Sequence, residues 1–205
     1  MQLRRPTYPI LILLLVLLCG VGWWSWKAVD AKDQEPEVRI SRYDRVLDEY
    51  VSLGSYTALH RMNTQYPAET KLLIEDILKL GRVDEPHIEQ RLRHVYLDSS
   101  MQVLLDEVHR QYADLSDLEE GFRRAFDTLR AEHPDFRVPH VYTQIACLGP
   151  SVVVSDTLIG ICLDKYLGSD FSLYQDTFTA EQRAGMTRAA IVPDALRLYL
   201  RSHYE

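Results

Sequence analysis

The sequence predicts an α+β fold: a helix-rich N-terminal part, a small antiparallel sheet of about three strands within residues 141–163, and short C-terminal helices. Three observations predict it. Apolar residues recur at helical spacing from Ser41 to Glu132. Two β-branched runs bounded by turn residues follow between Pro139 and Leu163. A last helical pattern opens at Pro193 and runs to His203. An apolar segment ahead of all this predicts an N-terminal transmembrane helix.

Tyr8 to Trp26 is an uncharged stretch of 19 residues, nearly all apolar from Ile10 to Leu18. It is long enough to cross a hydrocarbon core of roughly 30 Å at about 1.5 Å per residue. Arg4 and Arg5 precede it without any acidic residue, which predicts a cytoplasmic N-terminus. Trp23, Trp24 and Trp26 crowd its far end, where an apolar ring with a polar N–H suits the lipid–water boundary. Residues 1–26 therefore read as a single-pass inner-membrane anchor that leaves the remaining chain in the periplasm. Cleavage as a signal peptide near Ala28 and Ala31 is one alternative. Lipidation at Cys19 is the other, and Val16-Leu17-Leu18 is a bulky approach to it.

Lys27–Glu37 (KAVDAKDQEPE) has Val29 as its only large apolar residue and reads as a polar stalk. Residues 38–205 are then a normal size for one domain. Arg4 and Arg5 are the only charged residues before Lys27, so the exported part carries 21 basic side chains against 30 acidic ones. A domain of that sign without a basic stripe is unsuited to nucleic acid, whose affinity comes largely from Lys and Arg on phosphates. It is equally unsuited to gripping anionic lipid. Cys147 and Cys162 are the only cysteines beyond the anchor. An oxidising periplasm permits a disulfide between them, and two buried thiols packing as small hydrophobes are the alternative.

In the helical half, Tyr43, Val46, Leu47, Tyr50 and Val51 form one stripe, with Ser41 as N-cap and Gly54 as the stop. Ser55 caps a second helix that ends before Pro67, and Pro67 opens a third running to Gly81. Asp84 and Pro86 start a fourth, and Asp98 caps a fifth. Ser116-x-x-Glu119 reads as a capping box ahead of Phe122, Phe126 and Leu129, ended by Pro134. The aromatic residues read as core. Twelve Tyr against five Phe leave room for a peptide groove built on Tyr56, Tyr66, Tyr96 and Tyr112.

Gly149-Pro150 and Ser155-Asp156 divide the β-branched region, so Val141–Cys147, Ser151–Val154 and Leu158–Leu163 read as strands of an antiparallel meander. The run L-D-K-Y-L-G then breaks the pattern. Asp164 is placed to cap the next backbone turn, and Gly168 suits a left-handed conformation. Asp170 and Tyr174 lie just beyond, and Pro193 with Asp194 makes a good helix start. Asp164, Tyr166, Gly168, Asp170, Tyr174, Pro193 and Asp194 are the candidate site residues. They read either as a structural corner between sheet and C-terminal helices or as a surface that meets a partner.

The strand PHVYT, the apolar strand ending in LDKYLG and the downstream Tyr174 together resemble the gliding-motility protein GldB family of Bacteroidetes-type bacteria. The resemblance spans about residues 40–205 and is carried by residues 139–194. It implies a membrane-anchored periplasmic accessory of gliding motility or related envelope machinery, with an envelope protein as partner. The family is usually lipid-anchored, which would fall on Cys19. Its pattern is longer than this chain, so a short form ending at Glu205 is expected. Relatives of the family resemble exported zincin-type peptidases, in which a short sheet precedes a helix bearing two zinc ligands. The corresponding helix here reads PDALRLYLRSH and carries no ligand pair at i, i+4, which implies a zincin-like scaffold without the metal.

Read without the resemblance, the residues offer little chemistry. None of the seven histidines (His60, His87, His94, His109, His133, His140, His203) stands in H-E-x-x-H. His87 and His94 share one helix face, where a solvent-facing pair is commoner than a metal site. There is no G-x-S-x-G, Gly-rich phosphate loop or C-x-x-C, and Ser151 and Ser155 have no base at a recognisable spacing. A triad assembles in space, so spacing does not exclude one. No cofactor or metal is expected. Contact with an envelope protein is the first functional reading; an exported peptidase-like hydrolase and a periplasmic small-ligand binder are the alternatives.

Overall fold

The computed structural model describes residues 38–204. The expected membrane helix at 8–26 and the stalk at 27–37 lie outside the described residues. Among the described residues no helix is long and apolar enough to cross a membrane.

The helical half follows the apolar stripes. Helix α1 (Tyr43–Leu53) buries Tyr43, Val46, Leu47, Tyr50 and Val51, and Gly54 ends it at φ 66. Ser55 accepts the Ala58 N–H to open α2 (Tyr56–Thr64). Pro67 opens α3 (Pro67–Lys71), which widens into a π turn over Leu72–Ile77. The expected run to Gly81 therefore stops early, and Lys79 turns the chain at φ 53. The fourth helix begins later than expected, at Ile88, as α4 (Ile88–Tyr96). Asp98 caps α5 (Ser99–Gln111) through the Ser100 N–H, and α6 (Ser116–Glu132) ends before Pro134.

Two expected caps are employed elsewhere. Ser41 does not cap α1, because its main chain pairs with the sheet: its N–H donates to Val141 O and its carbonyl accepts the Thr143 N–H, both at 2.9 Å. The capping box at Ser116 is absent, because the helix N-cap is Leu115 and the Glu119 carboxylate accepts the Ile40 N–H at 3.0 Å instead. A complete capping box forms instead at Thr179 and Gln182, ahead of α8 (Ala180–Ala184).

The three strands are β1 (His140–Gln144), β2 (Val152–Val154) and β3 (Leu158–Cys162). They do not form an antiparallel meander. The order is β1-β3-β2, with β1 parallel to β3 and β2 antiparallel to it. Residues 145–151 carry the chain past one strand position before β2 descends, and β3 returns through the gap. Cys147 and Leu148 make this detour in the left-handed region, at φ 51 and 60. These are costly conformations for side chains of that kind.

Gly160 sits at the centre of the sheet, opposite Tyr142 on one side and Val153 on the other. A Cβ there would stand 2.5 Å from the Tyr142 hydroxyl and 2.6 Å from a Val153 methyl. The missing side chain lets the Tyr142 ring lie across the middle strand, a close approach that only glycine admits.

Helix α9 (Ile191–Tyr204) packs on β2, β3 and α6, burying Ile191, Ala195 and Tyr199. It starts two residues before Pro193, which is therefore its third residue and not its first. A 3₁₀ turn (Leu163–Lys165), the short α7 (Ser172–Gln175), α8 and a second 3₁₀ turn (Arg188–Ala190) link β3 to α9. Arg188 ties this link back to the helical half, with Asp117 at its guanidinium and the Gln111 and Asp114 carbonyls as further acceptors.

Candidate functional site

The corner after β3 is built around Asp164, whose side chain is fully buried. Its Oδ1 accepts the Ala146 N–H at 2.8 Å and its Oδ2 the Leu148 N–H at 2.6 Å. The carboxylate thus holds the left-handed detour that moves β2 to the outer position. It does not cap the turn that follows it, as local reading suggested, but one that precedes it by about 17 residues in the chain. Burial pushes its pKa above the ordinary carboxylate value, and the two N–H donors work against that shift.

Buried tyrosines secure the rest of the corner. The Tyr96 hydroxyl donates to Ile145 O at 2.6 Å, the Tyr112 hydroxyl to Tyr166 O at 2.5 Å, and the Tyr174 hydroxyl to Asp164 O at 2.5 Å. Tyr174 also accepts the Leu167 N–H at 3.0 Å. An irregular segment buried away from water must find partners for its main chain, and a Tyr brings them on an apolar ring. This accounts for part of the Tyr excess and removes Tyr96 and Tyr112 from any surface groove. Tyr66 packs on Tyr43, and of these four only Tyr56 is largely exposed.

Gly168 takes φ 104 and donates its N–H to Met186 O, while a Cβ there would meet nothing within 4 Å. Asp170 is exposed, and so is Pro193 on α9. The structure therefore brings together Asp164, Tyr166, Gly168, Tyr174 and Asp194, and leaves Asp170 and Pro193 outside. Cys147 and Cys162 are free thiols at this corner. Burial raises both, Cys147 to about 12, so neither is a ready thiolate.

The corner opens to solvent beside Asp194. The Tyr166 hydroxyl donates to Asp194 Oδ2 at 3.2 Å, at the floor of a cleft of about 260 Å³ that Ser151, Lys165 and Phe178 also line. Lys165 Nζ sits 3.8 Å over the Phe178 ring, and partial burial lowers its pKa. A second cleft of about 250 Å³ shares Ser151 and Asp194 and continues along Val152, Arg197, Leu198 and Arg201. Sequence reading missed this lateral face of α9; its only signal was the spacing of Asp194, Arg197, Leu198 and Arg201, which lie on one side of a helix.

A family model described as "Gliding motility protein GldB", a lipoprotein family, matches residues 25–205, the corner and cleft included. The chain belongs to this GldB family. No curated protein and no solved structure matches it. In this GldB-family domain the helix that follows the sheet offers the cleft Asp194 and Arg197, joined at 3.1 Å. Among the described residues no group of three or more His, Cys, Asp or Glu side chains is placed to hold a metal ion. His87 and His94 are both exposed.

Proposed function

We propose that this GldB-family chain is a membrane-anchored periplasmic accessory protein of gliding motility or related envelope machinery, acting by contact with an envelope protein. Family membership over residues 25–205 carries this reading. The built features of the domain support it: the buried polar groups around Asp164 are occupied in holding main chain. The two clefts at the corner measure about 250 and 260 Å³, below the roughly 300–1,000 Å³ usual for small-ligand pockets. The test is deletion of the gene in its host. Surface spreading should fall and return when the full chain is restored; normal spreading of the deletion strain overturns the motility role.

The anchor we propose is the uncleaved span at residues 8–26. The lipoprotein character of the family favours a second reading, an acyl anchor on Cys19. Cys19→Ser separates them: membrane retention supports the span, and release into the periplasm supports the lipid.

A further inference from the structure

A cleft of about 280 Å³ lies in the helical half, between α2, α3 with its π turn, and α4, and shares no residue with the two clefts at the corner. Its floor is apolar: Met62, Ile74, Ile88 and Leu92 line it and are all buried. Leu59 and Asn63 bring α2 into the lining, and Tyr56 stands on the same helix face one turn earlier. Tyr56 and Leu53, at the turn from α1 to α2, are 80 and 78 % exposed, the highest values among the described large apolar side chains. An aromatic ring left in water beside an apolar cleft marks a contact surface. The volume is a little below that of small-ligand pockets, roughly 300–1,000 Å³, and suits a side chain.

The lining holds two carboxylates, Asp84 and Glu89, and no cation. Asp84 is already paired, its two oxygens accepting from Arg82 at 2.9 and 2.8 Å. Glu89 is the free one. The Tyr50 hydroxyl donates to its main-chain carbonyl, and no donor among the described residues reaches its carboxylate. The neighbouring cations of α4 are engaged elsewhere: Arg93 Nε donates to Val51 O at 3.2 Å, and Arg91 pairs with Glu85 at 2.7 Å. An unpaired carboxylate over an apolar floor, on a chain of net charge −7, is complementary to an apolar group with a basic neighbour.

We propose that this cleft seats a basic, apolar segment of a partner protein, with one apolar side chain entering over Met62 and Ile74, an adjacent Lys or Arg meeting Glu89, and Tyr56 extending the contact along α2. This rests on the protein-contact reading above and names the chemistry of the partner.

The test uses the full chain in detergent micelles with ¹³C-labelled methionine methyl groups, followed by NMR as a capped Gly-Phe-Lys-Gly peptide is added. Met62 lines the cleft and Met101 and Met186 do not, so a shift at Met62 alone reports the site and not uptake by the micelle. A saturable shift with a midpoint at or below about 1 mM is expected, the range of weak short-peptide contacts. Gly-Ser-Lys-Gly should bind at least tenfold more weakly, having lost the buried ring. Gly-Phe-Glu-Gly should bind about fivefold more weakly, the scale of an exposed ion pair, and Glu89→Gln should abolish that preference at an unchanged melting temperature. Asn63→Trp should fill the mouth and remove the Met62 shift; if that variant melts early, the peptide comparisons and Glu89→Gln decide. Absence of a saturable Met62 shift overturns the inference, as does equal binding of the Phe and Ser peptides or a preference for Lys that Glu89→Gln leaves intact. Broadening of Met62 with protein concentration alone would make the occupant a second copy and overturn it too. The titration reads the cleft alone, so a deletion strain that spreads normally would remove the motility role and leave this result standing.

Discussion

The β1 edge and the β2 edge of the same small sheet have opposite fates. At β1 the chain closes its own edge: Ser41 pairs with Val141 and Thr143, and the Thr143 hydroxyl donates to the buried Asp44 at 2.5 Å. Arg42 then holds Asp44 at 2.7 Å from the solvent side. At β2 no segment among the described residues pairs with the outer side of the strand, and the neighbouring α9 packs on it beside a small cleft. The difference teaches where to look for function in a domain without a catalytic signature. Main-chain groups satisfied internally belong to the fold, and an outer strand edge without such pairing is the place to look for a further contact.

The largest effect is expected where both edges depend on one residue. Gly160→Ala would drive a Cβ into the Tyr142 ring and the Val153 methyl, and Tyr142 is fully buried with no room to swing. Overpacking of this kind should cost about 3 kcal/mol or more, read as a fall in the urea midpoint. A change below about 1 kcal/mol would mean that the sheet adjusts freely, and the contrast between its edges would lose its rigid frame.

Next comes the residue that places β2 at the outer position. Asp164→Asn keeps one acceptor and turns an amide N–H₂ toward a donor, which should cost about 2 kcal/mol at pH 7. The pH dependence carries more information. The folded pKa of Asp164 is raised by burial above the ordinary value of 3.8. The stability linked to its proton is therefore fully present below 3.8 and is lost as pH rises through the folded value. Wild type should gain on the Asn variant as pH falls from 7 toward 4. A gap that narrows on acidification would show that the two N–H donors outweigh burial.

How much of this was legible in the sequence depends on the range of each bond. The stripes of α1, α2, α5 and α6 were legible because i, i+3 and i+4 neighbours decide them. So were the caps at Ser55 and Asp98, whose partners lie within three residues. Strand existence was legible, and strand order was not. The order turns on Asp164 reaching back to Ala146 and Leu148, and on a left-handed pair, Cys147-Leu148, that no propensity favours. Ser41 and Glu119 misled for the same reason, since their partners lie about 100 and 79 residues away. Asp164, Tyr166, Gly168, Tyr174 and Asp194 were singled out from their motif, and the structure gathers them at one corner. The open edge was invisible, because it exists only once β3 has come between β1 and β2.

At the closed edge, Thr143→Val keeps shape and removes the bond to Asp44. A hydrogen bond to a charged, buried carboxylate is worth about 1.5–3 kcal/mol, and Arg42 remains as a partner, so the lower end is expected. Amide exchange of Thr143 and Val141 should quicken with no change at Val154. Equal quickening at both edges would mean that the sheet opens as one unit and that the edges do not differ locally.

The smallest effect completes the comparison, and its size is what matters. Val154→Pro removes an N–H that points away from β3, and the position before it is extended, as a residue preceding Pro prefers. No ladder bond is lost, because Val153 and Ser155 make the bonds that flank it. Only part of a half-buried valine side chain leaves its packing, so the cost should stay within about 1 kcal/mol. Proline at Thr143 instead deletes the N–H that pairs with Ser41 and should cost about 3 kcal/mol. Thermal melting of the two variants side by side measures the asymmetry directly. Comparable losses would show that the outward groups of β2 already carry an internal role, and the edge would then have nothing to offer a partner.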